Sequence, residues 1–370
     1  MKAIKIASGV AIGALAAAIS AQSFAMGHEG GAESTVVFSG SVKVQSVFDL
    51  NGEGVAGDPA RTNQMPNNDD WYHLTGDTTV THGPFSGKIR VGHHEGGPAN
   101  VTVRDLKVEE GPISFGQVGK ITDTVGKLEG LTDFRKAGET GMQSDELGVA
   151  GAFRYTLSDF GLRVQGEGRD ADDFGFAAAI HQDFDVAQVW ADFQYREVIG
   201  GSDADPITGY GVAAEVTPID MLKLEAAFRG DSGLDDSAWA AKATVNVTDT
   251  ISVYGQVASV SVDAEALAMR VGFSAGFAPI TVSGWYAMDL ADGADDTGRV
   301  FGKVAYADGP WGAFAETEVG LNDGEGVKVK VGGDYTTASG IKYGAEYENG
   351  DAADENVENS VATLFAQYSF

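Results

Sequence analysis

The sequence predicts an all-β protein: a closed antiparallel transmembrane β-barrel of about 20 strands (16–18 as the alternative) with one long loop folded inward. Three observations predict it. Apolar and polar residues alternate with a period of two in segments of about 9–11 residues, enough to cross a bilayer at the usual strand tilt. The connections alternate in kind, tight and marked by Pro or Gly in one set, longer and acidic in the other. The last segment, residues 361–370, sets Phe370, Tyr368, Ala366, Leu364 and Ala362 on one face against Ser369, Gln367 and Thr363, a polar face broken only by Phe365. So apolar a face is an aggregation hazard at an open edge. It is expected to close the sheet on the first strand and turn toward lipid.

Residues 1–25 read as an export signal, with Lys2 and Lys5, a small apolar run, and small residues around a cut at Ser23-Phe24-Ala25. The run is short for a bilayer span and no second one follows, which excludes helical membrane proteins. Residues 26–370 then form a single barrel domain, with 26–34 as an N-terminal extension. A net charge of −29 disfavours nucleic acid as a partner. With no cysteine, an exported chain of this size must hold together without disulfides, as a closed hydrogen-bonded sheet can.

The first strand, over residues 35–49, sets Val36, Phe38, Val42, Val44 and Phe48 against Ser39, Ser41, Lys43, Gln45 and Asp49. A polar loop over 50–70 precedes strands at 71–81 and 86–94, joined by His82-Gly83-Pro84-Phe85; Lys88 and Arg90 stand opposite Ile89 and Val91. Strands at 100–109 and 113–120 follow, turning at Gly111-Pro112. Residues 121–144 alternate poorly and carry Asp123, Glu129, Asp133 and Glu139; a loop that long is usually functional or disordered. Fifteen further segments then reach the terminus, among them 222–229 with Leu222, Leu224 and Phe228 against Lys223, Glu225 and Arg229. Five strands before the long segment and fifteen after it make an even number, as a closed bacterial barrel requires. About 6 Å of circumference per tilted strand gives twenty strands a backbone diameter of about 40 Å, too wide for side chains alone to fill.

The run from Asp105 to Gln117, D-L-K-V-E-E-G-P-I-S-F-G-Q, resembles the general diffusion porins of Gram-negative outer membranes. Those proteins show a similar Leu-Lys, turn, aromatic-Gly run just before the loop that folds into the pore. The export signal, the opening strand through Lys43 and the Phe370 ending agree. The resemblance implies a water-filled channel in the outer membrane for passive diffusion of small hydrophilic solutes and ions. It also implies a trimer and a third outer loop whose acids face basic residues of the wall. Carried over, residues 121–144 are the constriction loop, with Asp123, Glu129, Asp133 and Glu139, and Lys43, Lys88 and Arg90 belong to the pore wall. Tyr368 and Phe370 resemble the C-terminal signal read by the barrel assembly machinery. Outer-membrane lipid, lipopolysaccharide and a homotrimer follow as expected partners. The chain departs from the family at Gln117, where an Arg is usual, at Leu128–Phe134 in place of Pro-Glu-Phe-Gly-Gly, in a short second outer loop, and in strand number beyond sixteen.

Cation preference is expected, because an apolar outer face forces the excess acids onto the lumen and outer loops. A substrate-specific channel is the first alternative, with saturable flux and a lumen track of aromatics or one-sign charges. An outer-membrane barrel hydrolase is the second, and sparse histidines argue against it. No enzyme activity, cofactor or metal is expected. Gly52–Gly57 has dinucleotide-loop spacing without a following helix, and Gly272–Gly276 has nucleophile-elbow spacing at a strand end leading to another strand. His93 and His94 point to opposite faces of a strand. The terminus Met26-Gly27-His28 and the acid clusters at 292–296 and 351–355 have bland readings as a chance sequence and as solvated loops. Some of Trp71, Trp190, Trp239, Trp285 and Trp311 are expected in aromatic girdles.

Overall fold

Alternation becomes pairing in the computed structural model, which describes residues 34–50, 72–94, 100–119, 121–132, 152–170, 173–198, 207–231, 236–262, 264–291, 297–321, 326–350 and 360–369. Twenty strands form one sheet: β1 (Ser34–Asp49), β2 (Tyr72–His82), β3 (Phe85–His94), β4 (Asn100–Glu110), β5 (Ile113–Gly116), β6 (Ala152–Leu157), β7 (Leu162–Asp170), β8 (Asp173–Asp183), β9 (Ala187–Val198), β10 (Ile207–Ile219), β11 (Leu222–Asp231), β12 (Asp236–Thr248), β13 (Ile251–Val262), β14 (Ala264–Phe277), β15 (Ile280–Ala291), β16 (Thr297–Asp308), β17 (Trp311–Gly320), β18 (Val327–Thr336), β19 (Ile341–Asn349) and β20 (Ser360–Ser369). Each strand pairs antiparallel with its sequence neighbours. The ring closes where β20 pairs β1, from Ser41 opposite Ser369 to Asp49 opposite Val361. Closure leaves no sheet edge at that seam, so the backbone groups of the terminal strands are satisfied within the wall.

Register carries one side-chain set outward and the other inward. The outer face presents Val80, Ile89, Val103, Val189, Val212, Leu224, Val271, Val304, Val331 and Leu364, all exposed. Aromatic residues gather toward its two ends. Phe85, Phe160, Phe184, Phe277, Trp311 and Tyr368 lie at the end with tight turns, and Phe153, Phe174, Tyr210 and Trp239 at the other. The inner face carries the charges, paired across strands: Lys303 with Glu316 at 2.9 Å, Lys328 with Glu348 at 2.7 Å, Lys342 with Asp334 at 3.0 Å, and Lys223 with Glu215 at 3.0 Å, with Glu225 of its own strand 3.1 Å from the same lysine. Phe365, the residue that breaks the polar face of the last strand, lies inward across Gly344 of β19, where a Cβ would come within 2.3 Å of its ring.

Two expectations are corrected here. The fifth strand does not run to residue 120; β5 ends at Gly116. The segment 121–144 is not simply a loop, since its first part forms a helix, α1 (Asp123–Thr132). Residues 133–144, with Asp133 and Glu139, lie outside the described residues, as do residues 51–71 of the polar loop and its flank, the residues before 34, and Phe370. The strand ends at Gly116 because the backbone there takes φ +114°, and a Cβ would sit 2.3 Å from the Leu106 carbonyl oxygen. Gln117 then pins the departing chain: its N–H donates to Leu106 O at 2.8 Å and its side-chain oxygen accepts from Leu106 N–H at 3.1 Å. The chain thereby leaves the wall and enters the lumen. The helix escapes a strand-oriented reading because its apolar stripe is thin: Val125, Leu128 and Leu131 among Gly, Lys and Glu.

Candidate functional site in the barrel lumen

Helix α1 lies against the inner wall over β9–β13. A ten-residue helix holding Gly126 and Gly130 is weak by itself, each Gly costing about 1 kcal/mol relative to Ala, so docking must supply its stability. Its floor is a row of alanines. Ala213, Ala227, Ala240, Ala258 and Ala268 stand directly opposite one another on five consecutive strands, with Trp190 of β9 at one end. All six are buried, and Leu128 and Leu131 pack into the cluster they form. Side chains this short leave a shallow trough that a helix can fill, and each buried Leu contributes about 1.5–3 kcal/mol. Just before the helix, Ile121 is buried against Ala177 and Ala179 of β8.

Electrostatics sets the direction of the helix along the trough. At its N-terminus, Thr124 N–H donates to Asp192 Oδ2 at 2.8 Å. Asp192 Oδ1 accepts from Arg229 Nη1 at 2.9 Å, and the same nitrogen donates to Thr124 Oγ1 at 3.2 Å. Both charged side chains have no solvent exposure. At the other end the Leu131 carbonyl accepts from Gln256 Nε2, and Gln256 Oε1 accepts from Arg270 Nη2 at 2.9 Å. A carboxylate at the N-terminus and a cation linked to the C-terminus both suit the helix dipole. Gly211 completes the fit: a Cβ there would lie 2.1 Å from Thr124 Oγ1.

The residues singled out from the sequence fall as follows. Asp123 pairs with Arg163 of β7. Glu129 is exposed on α1. Lys88 lies 3.4 Å from Asp77, and Arg90 grips the same carboxylate with two hydrogen bonds of 2.7 and 2.8 Å. Lys43 stands inward with its Nζ 5.4 Å from the Phe365 ring centroid. Strands β1–β3, which carry these bases, stand about half the ring away from β11–β13 and the helix. Tyr368 faces outward, exposed. Asp192, Arg229, Gln256 and the alanine row were not legible as a set, because nothing in a single strand marks them. Lys127 of α1 sits 3.8 Å from the centroid of Trp190, whose other neighbour is the stacked ring of His181 at 4.9 Å.

The inner wall is more basic than the net charge suggests. Among the described side chains, Lys43, Lys88, Arg90, Lys107, Arg154, Arg163, Lys223, Arg229, Lys242, Arg270, Arg299, Lys303, Lys328, Lys330 and Lys342 outnumber Asp77, Glu109, Asp183, Asp192, Glu215, Glu225, Glu316, Glu318, Asp334, Glu346 and Glu348. The expectation that acids dominate the lumen is corrected for this part of it. Aromatic residues also face inward: Tyr254, Trp285, Phe301, Phe314 and Phe365, with Trp285 and Phe301 stacked at 5.4 Å. The Gly272–Gly276 spacing lies inside β14, with no strand-to-helix turn. Trp239 and Trp311 are outward, whereas Trp190 and Trp285 belong to the helix trough.

No family model and no curated protein matches the chain. Among solved structures it is similar to Rhodopseudomonas blastica porin. Two mutant forms of that porin are 15% and 14% identical, with TM-scores of 0.43 and 0.44, and each alignment covers 91% of this chain and 100% of the other. A triple mutant gives 15% and 0.43 over the same shares. At these values the architecture rests on the strand pairing itself, not on the likeness.

Proposed function

We propose that the chain is a porin of the Gram-negative outer membrane, passing small hydrophilic solutes and ions by passive diffusion. The observation that carries the reading is polarity turned inside out: a closed twenty-stranded ring, apolar outside and charged within, with a helix docked on the inner wall. Water will not stabilise such an outer face, and a bilayer will. Two aromatic belts flank the apolar band. Between Trp239 and Val247 on one strand, eight residues at the usual rise and tilt cover about 20 Å, close to the height of such a band. Helix α1 with Asp123 and Glu129 narrows the bore, and Lys43, Lys88 and Arg90 form the wall across from it.

Cation preference belongs to this reading. The wall's bases are largely engaged by acids on neighbouring strands, while the surplus of a chain with net charge −29 falls in connections such as 292–296 and 351–355. Carboxylates at a mouth concentrate cations. Outer-membrane lipid and lipopolysaccharide as surroundings, the barrel assembly machinery as the route in through Tyr368 and Phe370, and a homotrimer as the assembly complete the proposal. The decisive experiment is single-channel recording of the purified chain in a planar bilayer. Stable ohmic steps are expected, and a chain that inserts without conducting overturns the reading.

One observation favours a second reading, a substrate-specific channel: the inward aromatics Tyr254, Phe314 and Phe365 each lie beside a lysine. Flux that saturates with one solute class would select it.

A further inference from the structure

From the register of β12–β16 we infer that the inner wall beside helix α1 carries a site for acidic sugars, pyranoses bearing a carboxylate. The inference rests on the channel reading above and gives its substrate-specific form a chemical class. Three successive rows of inward residues build the site. The middle row is aromatic: Tyr254, Gly272, Trp285 and Phe301 stand opposite one another on β13, β14, β15 and β16. Tyr254 lies across Gly272, where a Cβ would come within 2.5 Å of its ring. Trp285 and Phe301 are stacked, with ring planes 15° apart. One row toward the helix stand Lys242, Gln256 and Arg270 on β12, β13 and β14. One row toward the tight turns stand the hydroxyls of Ser252, Ser274 and Ser283 on β13, β14 and β15.

Packing accounts for part of the aromatic row. Tyr254 shields Gly272, and Trp285 packs against the trough under the helix. Phe301 does neither, and its stack on Trp285 extends the two into a surface. All three rings are half-buried on a wall that faces a water-filled bore, where exposed apolar surface costs free energy. A pyranose carries C–H groups on its faces and hydroxyls at its rim, so it covers such rings while its rim meets polar groups beside them. Charge then selects among sugars. Lys242 Nζ lies 5.0 Å from the Tyr254 centroid and the Arg270 guanidinium carbon 5.5 Å from it, so two cations bracket one end of the row. Glu225, opposite Lys242 in the register, is held 3.1 Å from Lys223. At the other end Arg299 and Lys303 are held by Glu318 and Glu316 of β17, at 3.2 and 2.9 Å. A carboxylate is therefore drawn to the β12–β14 end. Neighbouring rows lie about 7 Å apart, so cation, ring and hydroxyl fall within the reach of one sugar.

The test adds glucuronate, glucose or acetate to open single channels in 0.15 M salt. Strand β15 runs six residues beyond Trp285 to Ala291, about 20 Å, against a Debye length of about 8 Å, so the acids at 292–296 do not mask the site. Glucuronate should block current saturably, with half-block at a lower concentration than for glucose, which lacks the charge, or acetate, which lacks the ring. This comparison on the parent chain needs no variant to fold. Lys242→Gln should raise the glucuronate concentration for half-block about two- to fivefold, as loss of an exposed ion pair does, and Lys242→Arg should restore most of it. Phe301→Leu keeps apolar bulk without a flat face and should raise it about two- to tenfold. Glucuronate that blocks no better than glucose or acetate overturns the inference and leaves the channel reading intact. So does a half-block that neither Lys242→Gln nor Phe301→Leu moves in chains that run as folded, heat-modifiable bands. Absence of any current from the parent chain overturns both.

Discussion

Asp192 and Arg229 form an ion pair 2.9 Å long whose side chains are fully shielded from solvent, although both stand on the inner wall of a barrel about 40 Å across. The helix covers them. Thr124 bonds both partners, so the pair is a clasp between wall and helix.

Removing one half of the clasp leaves the other charge buried and uncompensated, at a cost of about 3–5 kcal/mol for such pairs. Asp192→Ala should lower the thermal unfolding temperature and expose the segment 121–132 to limited proteolysis. The double change Asp192→Leu with Arg229→Met should recover most of the melting temperature. Equal melting of the single variant and the parent would show that the pair does not hold the helix.

Gly211→Val tests the trough without touching a charge. A Cβ at this position would already lie 2.1 Å from the Thr124 hydroxyl oxygen, so the branched side chain should lift the helix N-terminus off the wall. The barrel itself should still migrate as a folded, heat-modifiable band, whereas open-channel current noise should rise. Quiet currents at parental conductance would mean that the wall yields and the helix stays.

Shortening α1 by deleting residues 124–131 should raise unitary conductance, because the helix takes up part of the bore. If conductance stays the same after the deletion, the narrowest section lies elsewhere.

Selectivity is read from the reversal potential under a potassium chloride gradient. Cation preference should be strong near 0.01 M salt and fade toward 1 M, as the Debye length falls from about 30 Å to about 3 Å. An anion-selective value in dilute salt would place control with the wall's lysines and arginines.

Strand content was legible in the sequence because each strand announces itself locally. In the segment 222–229, Leu222, Leu224 and Phe228 against Lys223, Glu225 and Arg229 settle both the strand and its two faces, with no knowledge of its neighbours. Twenty such segments, with tight and long connections in alternation, led to the closed barrel. The exit at residues 116–117 was not legible: the segment 113–120 reads as one strand, and the close approach of Gly116 to Leu106 that ends it is a contact between strands.

The helix and its site belong to the tertiary structure. Ala213, Ala227, Ala240, Ala258 and Ala268 are single small residues, each in a different strand, and each unremarkable there. Only register sets them opposite one another, and only then do they form a trough. Asp192 and Arg229 read as two more inward charges until the same register places them under Thr124. A period of two is a property of one strand, so the sequence by itself determined which residues face in and which face out. Which inward residues meet is a property of pairing across the whole ring, and that was decided only by the folded wall.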